Sequence, residues 1–117
     1  MKRKNCCPIA QALSVLGDKW SLIVLRDVIF GKKRHFNDLL ASPEKISTNI
    51  LANRLKTLQE ESLLYCCVDA ENRRSKIYTP TEKAQDLVPI LVELYKWGEK
   101  YNDKVDKVDN PSQAEPF

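Results

Sequence analysis

The chain of 117 residues is long enough for one domain with a real hydrophobic core and too short for two. Hydrophobic residues make up 43% and charged residues 30% of it, which excludes a disordered or fibrous protein. No segment approaches the roughly 20 apolar residues of a membrane span, and the start does not resemble a signal peptide, so we expect a cytoplasmic protein without a membrane partner.

Three helices and one short strand are predicted in the first part of the chain. The first helix, Cys6 to Leu16, ends at Gly17, which tolerates a left-handed backbone. Asp18 caps the second helix, whose residues are apolar on nearly every side, so that this helix belongs at the centre. A very short strand from Arg34 to Phe36 then precedes a third helix, which is capped by Asn37 and ends near Ala41.

A fourth helix follows after a turn. Ser47 is its expected N-cap, and the helix extends from Thr48 to about Glu61. Leucines at spacings of four and three predict its buried side, which consists of Leu51, Leu55 and Leu58. Two short helices joined by a turn are typical of a helix-turn-helix.

A β-hairpin and a last helical region follow. The strands are predicted from Leu63 to Val68 and from Lys76 to Thr79, with a polar loop between them. A capping threonine, a proline and an acidic residue around Thr81 predict the start of the last helical region, which reaches about Asp103. Pro89 is expected to kink or split it.

This order of elements is mainly α with a small β-hairpin and is typical of a winged helix-turn-helix. We assign residues 1–104 to a DNA-binding and dimerisation domain, and the polar residues 105–117 to a disordered tail. In a winged helix the second helix of the turn enters the major groove of double-stranded DNA, while the hairpin lies against the backbone or minor groove. The net charge of +3 is too small to identify a nucleic-acid partner, so the positions of the polar side chains must do so.

The predicted DNA contacts lie on the fourth helix and on the hairpin loop. Asn pairs with adenine, Lys reaches guanine or phosphate, and the backbone amides at a helix start favour phosphate. Arginine near a wing tip suits phosphate or a narrow minor groove. The predicted contacts are Ser47, Thr48, Asn49, Asn53, Lys56, Arg73, Arg74 and Lys76. The alternative is a polar solvent-facing helix surface and a solubilising loop.

An apolar stripe on the last helical region is too broad for one small domain to cover. It comprises Leu87, Ile90, Leu91, Leu94, Trp97 and Tyr101. We expect a second subunit to bury part of it, in a homodimer. The alternative is that this helix only closes the core of the monomer.

The four cysteines form two adjacent pairs, Cys6-Cys7 and Cys66-Cys67. This spacing suits neither a zinc knuckle nor a thioredoxin-like centre, so we predict no metal site and no cofactor. Neighbours in a strand alternate, and therefore one of Cys66 and Cys67 should pack inward. The sequence also shows no nucleophile paired with a base and no phosphate-binding glycine loop, so we expect no enzymatic activity.

A series of short motifs connects the chain to a known family. The motifs are Cys7-Pro8-Ile9-Ala10, Leu16-Gly17-Asp18-Lys19-Trp20, Phe36-Asn37-Asp38-Leu39-Leu40, Leu51-Ala52-Asn53-Arg54-Leu55 and Trp97-Gly98. In this order and spacing the chain resembles the HxlR-type winged-helix regulators, which are relatives of MarR proteins. The resemblance implies transcription regulation by a homodimer that is joined through the first and last helices and binds two inverted half-sites.

The resemblance also extends the predicted sites. It adds Ile9 and Leu13 of the first helix to the dimer interface. It implies that Cys7, directly before the first proline, can sense electrophiles or oxidants, since a helix start and the nearby Arg3 and Lys4 favour the thiolate. The alternative is that Cys7 is a structural capping residue. A small-molecule effector stays open.

Two other functional classes also stay open at this point. One is a redox-active thiol protein on this scaffold, whose function in reducing buffer would be lost when all four cysteines are substituted. The other is a protein- or RNA-interaction module, which would lack a salt-dependent preference for duplex DNA over single strands.

Overall fold

Six helices and one antiparallel β-hairpin make up residues 7–102, the part of the chain that the computed structural model describes. The predicted tail at 105–117 and Cys6 lie outside the described residues. The elements are α1 Pro8–Leu16, α2 Lys19–Ile29, α3 Phe36–Leu40, α4 Thr48–Glu60, β1 Leu64–Val68, β2 Lys76–Pro80, α5 Glu82–Gln85 and α6 Val88–Tyr101. The predicted mainly helical winged-helix fold is confirmed.

Helix α2 is the centre of the domain, as its apolar sequence predicts. It packs against α1, α3, α4, α6 and β2. The Asp18 carboxylate caps it and accepts the backbone N–H groups of Trp20 and Ser21 at 3.0 and 2.9 Å. The side chains that α2 buries are Ser21, Val24, Leu25, Asp27, Val28 and Ile29.

Helix α4 begins at the predicted cap and buries the predicted leucine face. The Ser47 hydroxyl accepts the N–H of Ile50 at 3.2 Å. Leu51, Leu55 and Leu58 are at most 2% exposed, and α4 packs against α2, α3 and β1. Because full burial of a leucine contributes roughly 1.5–3 kcal/mol, this face fixes α4 on the domain and leaves its opposite face to solvent.

The start and end of α1 differ from the prediction. The helix begins at Pro8, because proline suits the first helical position, and Cys7 is the N-cap. Gly17 has a φ of −74°, so its backbone is right-handed and the predicted left-handed stop is wrong. Glycine is needed here for close approach instead, since a Cβ on Gly17 would collide with the carbonyl oxygen of Leu13.

The predicted strand from Arg34 to Phe36 is absent from the described residues, and Asn37 is not a helix cap. Helix α3 already begins at Phe36 with His35 as its N-cap, so little extended chain is left to pair. One backbone bond remains, in which the Tyr78 N–H donates to the Arg34 carbonyl at 2.8 Å. The segment contacts the hairpin without forming a third strand.

The hairpin and the last helices agree with the prediction to within a residue or two. Strand β1 pairs antiparallel with β2, with Cys66 opposite Tyr78. Cys66 is partly buried against the core and Cys67 is exposed, which confirms their predicted alternation. Pro89 lies in the first turn of α6, where its missing N–H leaves no bond unmade, so the predicted split between α5 and α6 is confirmed.

An ion-pair network ties the turn before α4 to α2. Arg26 Nη1 and Nη2 donate to the two oxygens of Glu44 at 2.7 and 2.9 Å, and Nη2 also donates to Asp27 at 2.7 Å. The Ser42 hydroxyl donates to Glu44 at 2.5 Å. The hydrogen bonds from Arg26, opposed by partial burial and aided by Ser42, hold the pKa of Glu44 at about 2, below its ordinary 4.5.

Glu44→Gln is expected to lower the free energy of unfolding at pH 7 by about 1–2 kcal/mol, less than for a fully buried pair because solvent screens this one. A depressed carboxyl pKa stabilises the fold above about pH 4.5, and this contribution is lost as pH falls through about 2. Urea titrations across this range should therefore show the wild-type advantage disappearing in acid. If the wild type were more stable than Glu44→Gln by the same free energy at the acid end, the stabilising role of the ionised Glu44 would be contradicted.

Candidate nucleic-acid interface

Five of the predicted DNA contacts lie on α4 or at its start, and all five are exposed. Asn49, Asn53 and Lys56 lie on the side of α4 opposite its buried leucines, whereas Ser47 and Thr48 are the N-cap and the first residue of the helix. The helix has 13 residues, and the first N–H groups, which have no carbonyl partner within the helix, give that end a partial positive charge. The face can thus offer amides and hydroxyls to phosphate and polar side chains to base edges.

An arginine on α4 links this face to α2. Arg54 Nη1 lies 3.1 Å from Asp18 Oδ2 and 3.5 Å from the Ser21 hydroxyl, while Nε and Nη2 donate to the Asn53 side-chain oxygen. Partial burial alone would raise the pKa of Asp18, but hydrogen bonds from Ser21 and the charge of Arg54 hold it below its ordinary value. The Arg54 guanidinium is therefore held by Asp18 and Ser21 through one nitrogen and by Asn53 through the other two.

Sequence reasoning missed Arg54 as a functional residue. It lies between the outward Asn53 and the inward Leu55, so the leucine spacing assigns it to neither face. Its ionic partner Asp18 is distant in the sequence and was predicted only as a cap. No pattern among neighbouring residues could predict the ion pair between Arg54 and Asp18.

The hairpin loop at residues 69–75 is a succession of turns that presents the predicted cations. The Asp69 carboxylate accepts the N–H of Glu71 at 2.9 Å and lies 3.2 Å from His35 Nε2. These two contacts hold the pKa of Asp69 below its ordinary value, the Glu71 N–H more than His35. Arg73, Arg74 and Lys76 are exposed.

The structure groups these cations only in part. Arg74 and Lys76 line a polar cleft of about 450 Å³ with His35 and Asn37 at the start of α3. Arg73 does not line this cleft. The hairpin and α3 thus line one cleft, to which Phe36 and Tyr78 also contribute.

Exposed apolar side chains are concentrated on two helices, α1 and α6. Nine large apolar side chains of the described residues are exposed, and six of them are the predicted interface residues Ile9, Leu13, Ile90, Leu94, Trp97 and Tyr101. We call these six the apolar surface. Their concentration on two helices is not what a scattered set of exposed side chains would give.

The predicted stripe of α6 divides between the core and this surface. Leu91 is only 7% exposed and belongs to the core, whereas Leu94 is 49% and Trp97 67% exposed. The Trp97 and Tyr101 rings lie 5.5 Å apart between centroids. The helix therefore closes the monomer's core with one face and leaves a second apolar face uncovered.

The described cysteines occupy two different environments. Cys7 is exposed at the N-cap of α1, two residues before Ile9. Cys66 packs beside Tyr78, and burial, with a further contribution from Cys66, raises the pKa of that tyrosine. Within residues 7–102 no three potential ligand side chains gather to hold a metal ion. None of the helices in this range combines the length and the apolar composition of a membrane span.

The order of elements and the two surfaces can be compared with known proteins. The sequence model of the HxlR-like helix-turn-helix family matches residues 15–106, most of the chain. The chain belongs to the HxlR-like helix-turn-helix family. This HxlR-like protein is accordingly a DNA-binding transcription regulator, a class distinct from the redox-active thiol proteins and RNA-interaction modules that the sequence left open.

Two Bacillus subtilis regulators illustrate the relationship. The HTH-type transcriptional regulator YdeP is 33% identical over 109 residues, which cover 93% of this chain and 84% of YdeP. The HTH-type transcriptional regulator YodB is 30% identical over 108 residues, which cover 92% of this chain and 96% of YodB.

Solved structures of two regulators share the fold. Reduced YodB matches with a TM-score of 0.65 and 27% identity, over 87% of this chain and 100% of YodB. The redox regulator HypR in its reduced form matches with a TM-score of 0.72 and 26% identity, over 83% of this chain and 95% of HypR. YodB has also been solved in quinone-bound and diamide-treated forms, and HypR in an oxidised form.

Proposed function

We propose that this regulator binds, as a homodimer joined through α1 and α6, an operator of two inverted half-sites in double-stranded DNA. The observation that carries the proposal is the concentration of exposed apolar side chains on these two helices, while the outer face of α4 is polar. Apolar surface removed from water contributes about 25 cal/mol per Å², so covering the apolar surface favours association.

Two-fold symmetry links the subunit interface to the operator. A dimer of identical chains presents the same patch from both subunits, and its two α4 helices are related by the same axis. They meet successive major grooves when they are about 34 to 36 Å apart. An operator with inverted half-sites is the sequence that such a pair reads.

The contacts within each half-site divide by chemistry. Asn49, Asn53 and Lys56 face outward from α4 and suit base edges in the major groove. Ser47 and Thr48 stand at the helix start, where N–H groups suit a phosphate. The wing cations suit phosphate or the minor groove, and these are Arg73, Arg74 and Lys76.

Asn53→Ala is expected to weaken operator binding by about 1–3 kcal/mol and to leave binding to unrelated duplex unchanged, because a base contact carries sequence information. Arg74→Ala should lower affinity for both duplexes and flatten the salt dependence, since one phosphate contact contributes a slope of about 0.9. Titrations at several salt concentrations measure both effects.

The matched control is Lys83→Ala, which removes an exposed cation on α5, outside the proposed contacts. It should leave affinity and salt slope close to the wild-type values. Unchanged operator affinity in Asn53→Ala would remove that residue from the base-reading face. A loss of specificity alone in Arg74→Ala would contradict the assignment of the wing.

We propose in addition that Cys7 makes DNA binding responsive to electrophiles or oxidants. Its exposed position at the start of α1, beside the proposed subunit interface, supports this role. The quinone-bound and diamide-treated forms of YodB and the two redox forms of HypR show that relatives undergo such chemistry.

A further inference from the structure

We propose that Arg54 sets the base preference of Asn53, so that Asn53 reads guanine rather than adenine. The inference rests on the proposed function, in which the outer face of α4 lies in the major groove. It concerns one neighbouring pair of side chains on that face.

Two nitrogens of Arg54 donate to the same side-chain oxygen of Asn53, and we call this arrangement the fork. Arg54 Nε donates to Asn53 Oδ1 at 3.1 Å, and Nη2 donates to the same oxygen. The other side of the guanidinium is held by Asp18 at 3.1 Å, with the hydroxyls of Ser21 and Thr57 each at 3.5 Å. The Arg54 side chain is only 23% exposed, so it lies beneath the exposed Asn53 amide.

Hydrogen-bond chemistry fixes which way the amide faces. A guanidinium donates and never accepts, so the atom of Asn53 that faces Arg54 must be the oxygen and not the nitrogen. A carbonyl oxygen has two lone pairs, and the two donors of Arg54 occupy both. The NH₂ group of the exposed Asn53 side chain keeps its two donors for a partner other than Arg54.

The major-groove edges of the bases distinguish such a group. Guanine presents two adjacent acceptors, N7 and O6, whereas adenine presents the acceptor N7 beside the N6 donor. In a bidentate pair of asparagine with adenine, the amide oxygen must accept a hydrogen bond from the adenine N6 group. In Asn53 this oxygen already accepts two hydrogen bonds from Arg54. With its oxygen occupied, Asn53 fits guanine, which reverses the preference expected for an asparagine from the sequence.

The test is selection of binding sites from a random duplex pool by the full chain, in reducing buffer. The wild type should enrich guanine at one position of each half-site, and Asn53→Ala should lose that enrichment. Arg54→Lys keeps a cation for Asp18 but cannot fork on the oxygen of Asn53. It should lower the guanine-to-adenine ratio at that position about tenfold, by about 1.4 kcal/mol. Lys83→Ala, an exposed change on α5 that touches neither Arg54 nor Asn53, should keep the wild-type ratio.

A second variant makes the test independent of folding in Arg54→Lys. Asn53→Asp is an exposed change that keeps an acceptor for Arg54 and removes both outward donors, so it should abolish the guanine enrichment. Adenine at an Asn53-dependent position in the wild type would overturn the inference and leave the proposed function standing. A motif with no position sensitive to Asn53→Ala would overturn the inference and remove Asn53 from the base-reading face, whereas a pool without any enriched motif would overturn the proposed function as well.

Discussion

Trp97→Glu and Leu94→Glu are each expected to convert the proposed dimer into a monomer. Both side chains belong to the apolar surface, and an association that buries them would leave the new carboxylate desolvated and without a partner. Because a monomer binds one half-site without the help of the second, affinity for the full operator should fall by about a hundredfold or more. Sedimentation measures the mass, and titration with full and half operators measures the affinity.

The control is Tyr65→Glu, which places the same charge on a side chain of similar exposure in β1, outside the apolar surface. It should remain a dimer. If both α6 variants were still dimeric, the subunit interface would have to lie elsewhere on the protein. The core residue Leu91 is unchanged in all three variants, so we expect them to stay folded. Circular dichroism spectra like that of the wild type would show that a lower sedimentation mass reflects dissociation and not unfolding.

The parts of the fold that the sequence predicts well are those fixed by neighbours in the chain. Asp18 and Ser47 cap α2 and α4 as expected, since a cap bonds N–H groups only two or three residues away. The buried leucines of α4 follow directly from helical spacing. The same spacing exposes Asn53 and Lys56, so most of the candidate interface on α4 was predictable.

The parts that it predicts poorly depend on distant contacts. The division of the α6 stripe between Leu91 and Leu94 depends on which side of the helix meets α2, and spacing alone cannot tell the two apolar faces apart. The role of Gly17 depends on its approach to Leu13, not on its own φ. The Arg54 guanidinium also forms an ion pair with Asp18, the N-cap of α2, which lies 36 residues away in the sequence.

Modification of the Cys7 thiol offers a way to change the geometry of the proposed dimer. It caps α1 and stands two residues before Ile9 of the apolar surface. A quinone adds to a thiol by forming a carbon–sulfur bond, and its ring becomes a hydroquinone that retains the thiol's proton. Such a group at the edge of the interface would turn one subunit against the other. Since the α4 helices must stay about 34 to 36 Å apart to meet successive grooves, a small rotation is enough to weaken binding.

A quinone is therefore expected to lower operator affinity of the wild type at least about tenfold, which is about 1.4 kcal/mol. Diamide, which takes up two electrons and two protons as two thiols form a disulfide, should have the same effect. Cys7→Ser should abolish both responses, while Cys66→Ser and Cys67→Ser should retain them, because those thiols lie on the hairpin and not on α1. Gel-shift titrations before and after treatment measure the change, and mass spectrometry locates the adduct. Equal responses in the wild type and Cys7→Ser would leave Cys7 a structural residue and the DNA-binding function untouched.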